Sequence, residues 1–210
     1  MFDYDRNLVP NAWIRAQEGT PAIGLSIGYP GWGLLYYAVI SHLQAGKHNV
    51  ILEIGTNLGA STIIMAQALI DSKRSGRVIT IEKDLITAGI ARTNIESAGV
   101  QDRVQSLIGK SGEVMRWMAP PIDIAFIDGS HDAPDVIDDF DNVLNLLSPD
   151  GLMIFDDYAN IGIGHDYQGD LQLTGELWHP AKAIDRFVQC LGDRCQVIHN
   201  DFQLIIRKVK

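Results

Sequence analysis

The chain has 210 residues, of which 46% are hydrophobic and 20% charged, and its formal net charge is −9. That length and composition predict one globular domain with a sizeable core, and the acidic balance argues against a protein built to grip nucleic-acid phosphates. No apolar run is long enough for a membrane span, the opening Met1–Arg6 is acidic where a secretory signal would be basic, and Cys190 and Cys195 make no disulfide framework. A cytoplasmic protein is expected, with neither nucleic acid nor membrane as its partner.

Residues 1–33 read as an irregular leader containing Pro10, Pro21 and Pro30, with Trp13, Tyr29 and Trp32 set to pack over the core edge or line a substrate mouth. Leu34–Ala45 has helical periodicity, with Leu34, Leu35, Ala38, Val39 and Leu43 on one broad face and Gly46 as its stop. The apolar leader and this helix together admit a homodimer. From Val50 strands and helices alternate: strand Val50–Ile54, helix Gly59–Asp71, strand Arg77–Ile81, helix Leu85–Ala98, strand Val104–Ile108 and a short helix from Ser111 to about Met118. Strand Ile122–Ile127, helix Pro134–Leu147 with Pro149 just past its end, and strand Leu152–Phe155 follow. Asp157–Pro180 breaks the rhythm and reads as an insertion serving as lid or substrate wall, before a last helix at Ala181–Leu191 and a hairpin of Gln196–His199 with Phe202–Arg207. The order predicts an α/β fold: a doubly wound, Rossmann-like, mostly parallel seven-stranded sheet closed by a C-terminal antiparallel hairpin, with ligands at the carboxyl ends of the strands.

The chain is organised around Val50–Thr62, V-I-L-E-I-G-T-N-L-G-A-S-T. A buried strand, a glycine turn and a helix start let backbone approach a ligand closely and offer it free N–H groups. An ordinary β-turn-α connection has the same ingredients. The spacing departs from the dinucleotide fingerprint G-x-G-x-x-G, since Asn57 stands where its second glycine belongs, and this counts against a nicotinamide or flavin cofactor. Within the stretch Glu53, Gly55, Asn57, Gly59 and Ser61 are the candidate cofactor residues.

Strand ends supply the other candidates. Glu82 closes the second strand 23 residues after Gly59, where a carboxylate can accept both hydroxyls of a ribose. Ser111, in Gly109-Lys110-Ser111 after the third strand, is a further candidate, and it can also simply cap the helix it begins. Asp128 ends the fourth strand in I-D-I-A-F-I-D-G-S-H-D, and Asp156-Asp157 end the fifth in M-I-F-D-D-Y. Three carboxylates converging on one sheet edge repel each other unless a cation joins them, and hard oxygen ligands with room for water suit Mg²⁺ or a similar divalent ion. Helix caps and loop carboxylates are the simpler explanation of each alone.

These motifs resemble class I S-adenosylmethionine (SAM) dependent methyltransferases. The E-x-G-x-x-x-G of Glu53–Gly59 is similar to their first motif, and a closing hairpin belongs to their fold; the likeness spans about residues 34 to 207. Asp128 with Asp156-Asp157 looks like the cation-dependent O-methyltransferases of the catechol and macrocin-type sugar groups. The resemblance implies SAM as cofactor, Glu82 on its ribose, Ser111 near its adenine and Asp128 beside it. It also implies a divalent metal on Asp128, Asp156 and Asp157, and a small-molecule hydroxyl as methyl acceptor. In the catechol group a lysine three residues past the first aspartate is the general base; His131 holds that offset here, and imidazole titrates in the right range. Asp132, His165 and His179 are further choices. A metal-free methyltransferase, a nicotinamide-dependent oxidoreductase and a non-catalytic SAM-binding module are the alternatives.

Overall fold

The β-branched run predicted as the first strand is β1 (Asn49–Ile54), and all its neighbours follow the parallel pattern. The computed structural model describes residues 27, 31–119, 121–130, 133–156, 192–200 and 203–209. In chain order the elements are α1 (Gly31–His42), β1, α2 (Ala60–Asp71), β2 (Gly76–Glu82), α3 (Leu85–Ala98), β3 (Val104–Ile108), α4 (Ser111–Met115), β4 (Ile122–Ile127), α5 (Ala133–Leu146), β5 (Leu147–Phe155), β6 (Cys195–Asn200) and β7 (Leu204–Lys208). They build a seven-stranded sheet of order β3-β2-β1-β4-β5-β7-β6. β7 runs antiparallel to both β5 and β6, and the pairs β1–β2, β1–β4, β2–β3 and β4–β5 are parallel. The predicted mixed sheet and closing hairpin are therefore present.

Strand alternation sorts the core into two layers. Ile51, Val78, Ile124, Phe126, Ile154 and Ile205 face α1, α2 and α3. Leu52, Ile79, Ala125, Ile127, Phe155 and Leu204 face α4 and α5, where Phe140 stacks on Phe155. α2 is buried nearly all round because the sheet covers one side and α1 the other. No helix among the described residues is long and apolar enough to cross a membrane.

Most element boundaries fall within one or two residues of the sequence expectation, and three elements differ by more. The helix expected at 34–45 runs from Gly31 to His42, because Gly31, Trp32 and Gly33 are buried, so packing outweighs the poor helix propensity of glycine. The short helix after Ser111 stops at Met115 rather than Met118. The fifth strand, expected from Leu152, starts at Leu147 and carries Pro149 inside it. Its pairing with β4 shifts between Ile122 and Ile124, and Asp150 takes a left-handed φ of 63°. A bulge tolerates a proline because it has an unpaired position for a residue without an N–H. The readings of the leader at residues 1–26 and 28–30, of the insertion with His165 and His179, and of the helix at 181–191 lie outside the described residues.

Candidate functional site

The turn after β1 and the turn after β4 meet backbone to backbone at the point where strand order reverses. Gly55 has a φ of +93°, and a Cβ built on it would lie 2.1 Å from the Asp128 carbonyl oxygen and 2.8 Å from Gly129 Cα. Only glycine can stand there. Gly59 also takes positive φ, +90°, immediately before α2, and packs on Ala91 and Ile95 of α3. Asn57 lies between them in the left-handed region at φ 47°. The Asn94 amide donates to the Leu58 carbonyl at 2.9 Å and ties this loop to α3.

Glu53 does not reach the ligand space. By strand parity it shares the face of Ile51, under the first turn of α2, and it is 0% exposed. Its carboxylate accepts the Ser61 hydroxyl at 2.5 Å, the Thr62 hydroxyl, and the Thr80 hydroxyl at 2.5 Å. Burial pushes its pKa up to about 7 against the pull of the three hydroxyls, with the Asp128 charge adding to the rise. Ser61 is spent on this clamp and is itself buried. Both residues, expected on the cofactor, therefore act beneath the loop.

Beyond the loop a cleft of about 470 Å³ opens along the carboxyl ends of β1, β2 and β4. Glu82 stands on its wall. One carboxylate oxygen accepts the Asn57 backbone N–H at 2.9 Å, the other the Asp84 N–H at 3.0 Å. That fixes the plane of the carboxylate and leaves each oxygen an acceptor site for a further donor. Ser111 faces the same cleft but does not cap α4; its hydroxyl donates to Asp139 Oδ1 at 2.5 Å. Burial raises the Asp139 pKa, the Ser111 bond lowers it, and the charges of Asp135 and Asp138 raise it again. The sequence reading missed Asp139, although an aspartate in step with Val136, Phe140 and Val143 on the apolar side of a helix was a visible signal. Among the described residues five acids line the cleft (Glu82, Glu113, Asp135, Asp138 and Asp139) against Lys83, Lys110 and Arg116.

Asp128 and Asp156 emerge side by side. Ile127 pairs with Phe155, the Asp128 N–H donates to the Ile54 carbonyl at 2.9 Å, and the Asp156 N–H to the Ile127 carbonyl at 3.2 Å. Gln203, just before β7, donates its side-chain amide to Asp156 Oδ1 at 2.8 Å. His131, Asp132 and Asp157 lie outside the described residues. Among the described residues no group of three or more His, Cys, Asp or Glu side chains is gathered as for a metal ion. Two hard carboxylates on adjacent strand ends nevertheless match the oxygen chemistry of a divalent cation, provided a third ligand joins them.

A parallel sheet with antiparallel β7 inserted beside β5, a glycine turn after β1 and an acidic residue at the end of β2 is the architecture of the class I methyltransferases. A family model described as a methyltransferase domain matches residues 52–158, and the chain belongs to that family. It is 36% identical over 151 residues to a catechol O-methyltransferase of Niastella koreensis, covering 70% of this chain and 63% of that protein. It is 40% identical over 79 residues to a catechol O-methyltransferase of Mycobacterium tuberculosis, covering 37% and 34%. The chain thus spans less than two thirds of the length of either relative. In fold it is similar to an O-methyltransferase from Bacillus cereus solved with SAH, at 24% identity and a TM-score of 0.70 over 97% of this chain and 93% of that one. An O-methyltransferase from Streptomyces achromogenes solved with SAM gives a TM-score of 0.70 at 22% identity, over 100% and 92%.

Proposed function

We propose that the protein transfers the methyl group of SAM to a hydroxyl of a small molecule, as a single methyltransferase domain over residues 1–210. The observation that carries this reading is Glu82, a carboxylate locked by two backbone N–H groups with its remaining acceptor sites on the cleft, the arrangement a ribose diol requires. The acidic lining supports a cofactor without phosphates over a dinucleotide, whose pyrophosphate it would repel. SAM, a sulfonium cation that has no phosphate, suits such a cleft. The chain's own work is then to hold the cofactor by the Gly55–Gly59 turn and Glu82, and to align an acceptor oxygen with it.

Asp128, Asp156 and Asp157 would hold a divalent cation such as Mg²⁺, which when bound lowers the pKa of an acceptor hydroxyl. On the motif match His131 takes the acceptor proton, and the 157–180 segment walls the acceptor. The catechol O-methyltransferase relatives support a small hydroxylated acceptor, and the net charge of −9 supports it over nucleic acid. A cytoplasmic setting and a homodimer complete the reading and rest on sequence composition alone.

Calorimetric titration tests it. SAM should bind in the micromolar range, and Glu82→Ala should weaken binding at least tenfold, about 1.4 kcal/mol. Catechol supplied with SAM and Mg²⁺ is the first acceptor to try. Asp156→Ala should lose turnover by about a hundredfold or more while SAM affinity stays within a factor of about two. Absence of SAM binding would overturn the whole reading, and full activity in Asp156→Ala would remove the metal from it.

A further inference from the structure

The end of the sheet edge at β5–β7 holds two polar atoms that the site described so far does not use. Gln203 is 0% exposed and donates Nε2 to Asp156 Oδ1 at 2.8 Å, yet its Oε1 is buried with no hydrogen-bond partner among the described residues. The orientation of the amide follows from its neighbour: turned over, it would press a carbonyl oxygen against a carboxylate oxygen. His199 Nε2, on β6, is the second buried atom without a partner. His199 pairs with Ile205, two residues from Gln203, and Ile205 belongs to the core layer under α1 and α2, so the two orphans sit on a diagonal of one hairpin. Gly31, the first residue of α1, closes the place from above. A Cβ on it would lie 3.6 Å from Gln203 Nε2 and 3.7 Å from Asp156 Oδ1.

A buried amide oxygen without a donor costs about 1–3 kcal/mol, so native proteins rarely keep one unless something else fills it. We propose that Gln203 is a positioning residue of the cation and acceptor site: its amide aims the Asp156 carboxylate, and its Oε1 accepts a hydrogen bond from what occupies that site, a coordinated water or the acceptor hydroxyl. The inference rests on the reading of Asp156 as a cation ligand. The hydrogen bond from Gln203 fixes the direction in which Asp156 Oδ1 points. An amide anchored just before the antiparallel β7 restrains the carboxylate, as outer partners of metal ligands do elsewhere.

The test is Mn²⁺ titration followed by the loss of its free electron paramagnetic resonance signal, on wild type and on Gln203→Met, which keeps the length and loses both hydrogen bonds. SAM affinity by calorimetry and the melting temperature are measured on the same samples. Wild type should bind Mn²⁺ saturably, and Gln203→Met should bind it about 10- to 100-fold more weakly with SAM affinity unchanged. Equal Mn²⁺ affinity in the two proteins overturns the role of Gln203 while leaving the cation reading intact. No saturable Mn²⁺ binding in wild type overturns the cation reading, and this inference with it. Should Gln203→Met fail to fold, wild type with ¹⁵N-labelled glutamine decides the matter. The side-chain amide pair slowest to exchange with D₂O should shift when Mg²⁺ is added, and a pair that does not move refutes the proposal.

Discussion

The two halves of the carboxyl edge are built on opposite terms. Around β1 and β2 the acidic oxygens are already bound: Glu53 by three hydroxyls, Glu82 by two backbone N–H groups, each from an element of the same half. Around β5–β7, Gln203 Oε1 and His199 Nε2 are buried without partners among the described residues. A half whose groups satisfy one another is rigid before any ligand arrives, and suits a ligand that is the same in every turnover. On the proposal made above for Gln203, a half with orphaned groups is completed by its ligand, which suits a variable acceptor. Gly55 joins the two, since its turn lies against the Asp128–Gly129 backbone.

The contrast can be broken most severely at that junction. Gly55→Ala places a Cβ 2.1 Å from a carbonyl oxygen at a φ of +93°, so the two turns must part. A loss of about 3–5 kcal/mol in urea unfolding is expected, together with loss of SAM binding by both calorimetry and thermal shift. Retention of wild-type stability would mean the halves are not pressed together as described.

The rigid half carries a pH signature. Burial raises the Glu53 pKa from its ordinary 4.5 to about 7, so between those values the native chain holds a proton that the unfolded chain has released. The stabilisation from this group is full below pH 4.5 and is lost as pH rises through 7, a span of about 3 kcal/mol at 1.36 kcal/mol per unit. Glu53→Gln, which keeps the shape and cannot ionise, should flatten the melting temperature between pH 4.5 and 8 relative to wild type. Parallel curves for the two proteins would refute the clamp's buried charge.

The smallest effect sharpens the boundary between cleft and core. Ser111→Ala removes the hydroxyl that donates to Asp139, leaving a buried carboxyl with one donor fewer and its pKa higher still. About 1–2 kcal/mol of stability should be lost, with a several-fold weaker SAM affinity. A change in affinity alone would place Ser111 on the cofactor rather than on Asp139.

What the sequence determined by itself was the order and kind of the elements. Periodicity of two and of 3.6, with glycines and prolines as punctuation, is a local property, and it brought out the strands at 104–108 and 122–127 and the helix at 85–98 to the residue. It also located Glu82, Asp128 and Asp156 at strand ends, because parallel strands deliver their last residues to one edge. Tertiary structure alone decided what each side chain meets there. Glu53 lies in the glycine motif after the first strand begins, yet strand parity turns it under α2, and its partners Thr62 and Thr80 come from two other elements. Asp139 reaches Ser111 across 28 residues, and Gln203 reaches Asp156 across 47. Such pairs leave no periodic trace, since the energy of a hydrogen bond depends on where two distant backbones have been carried by the burial of everything between them.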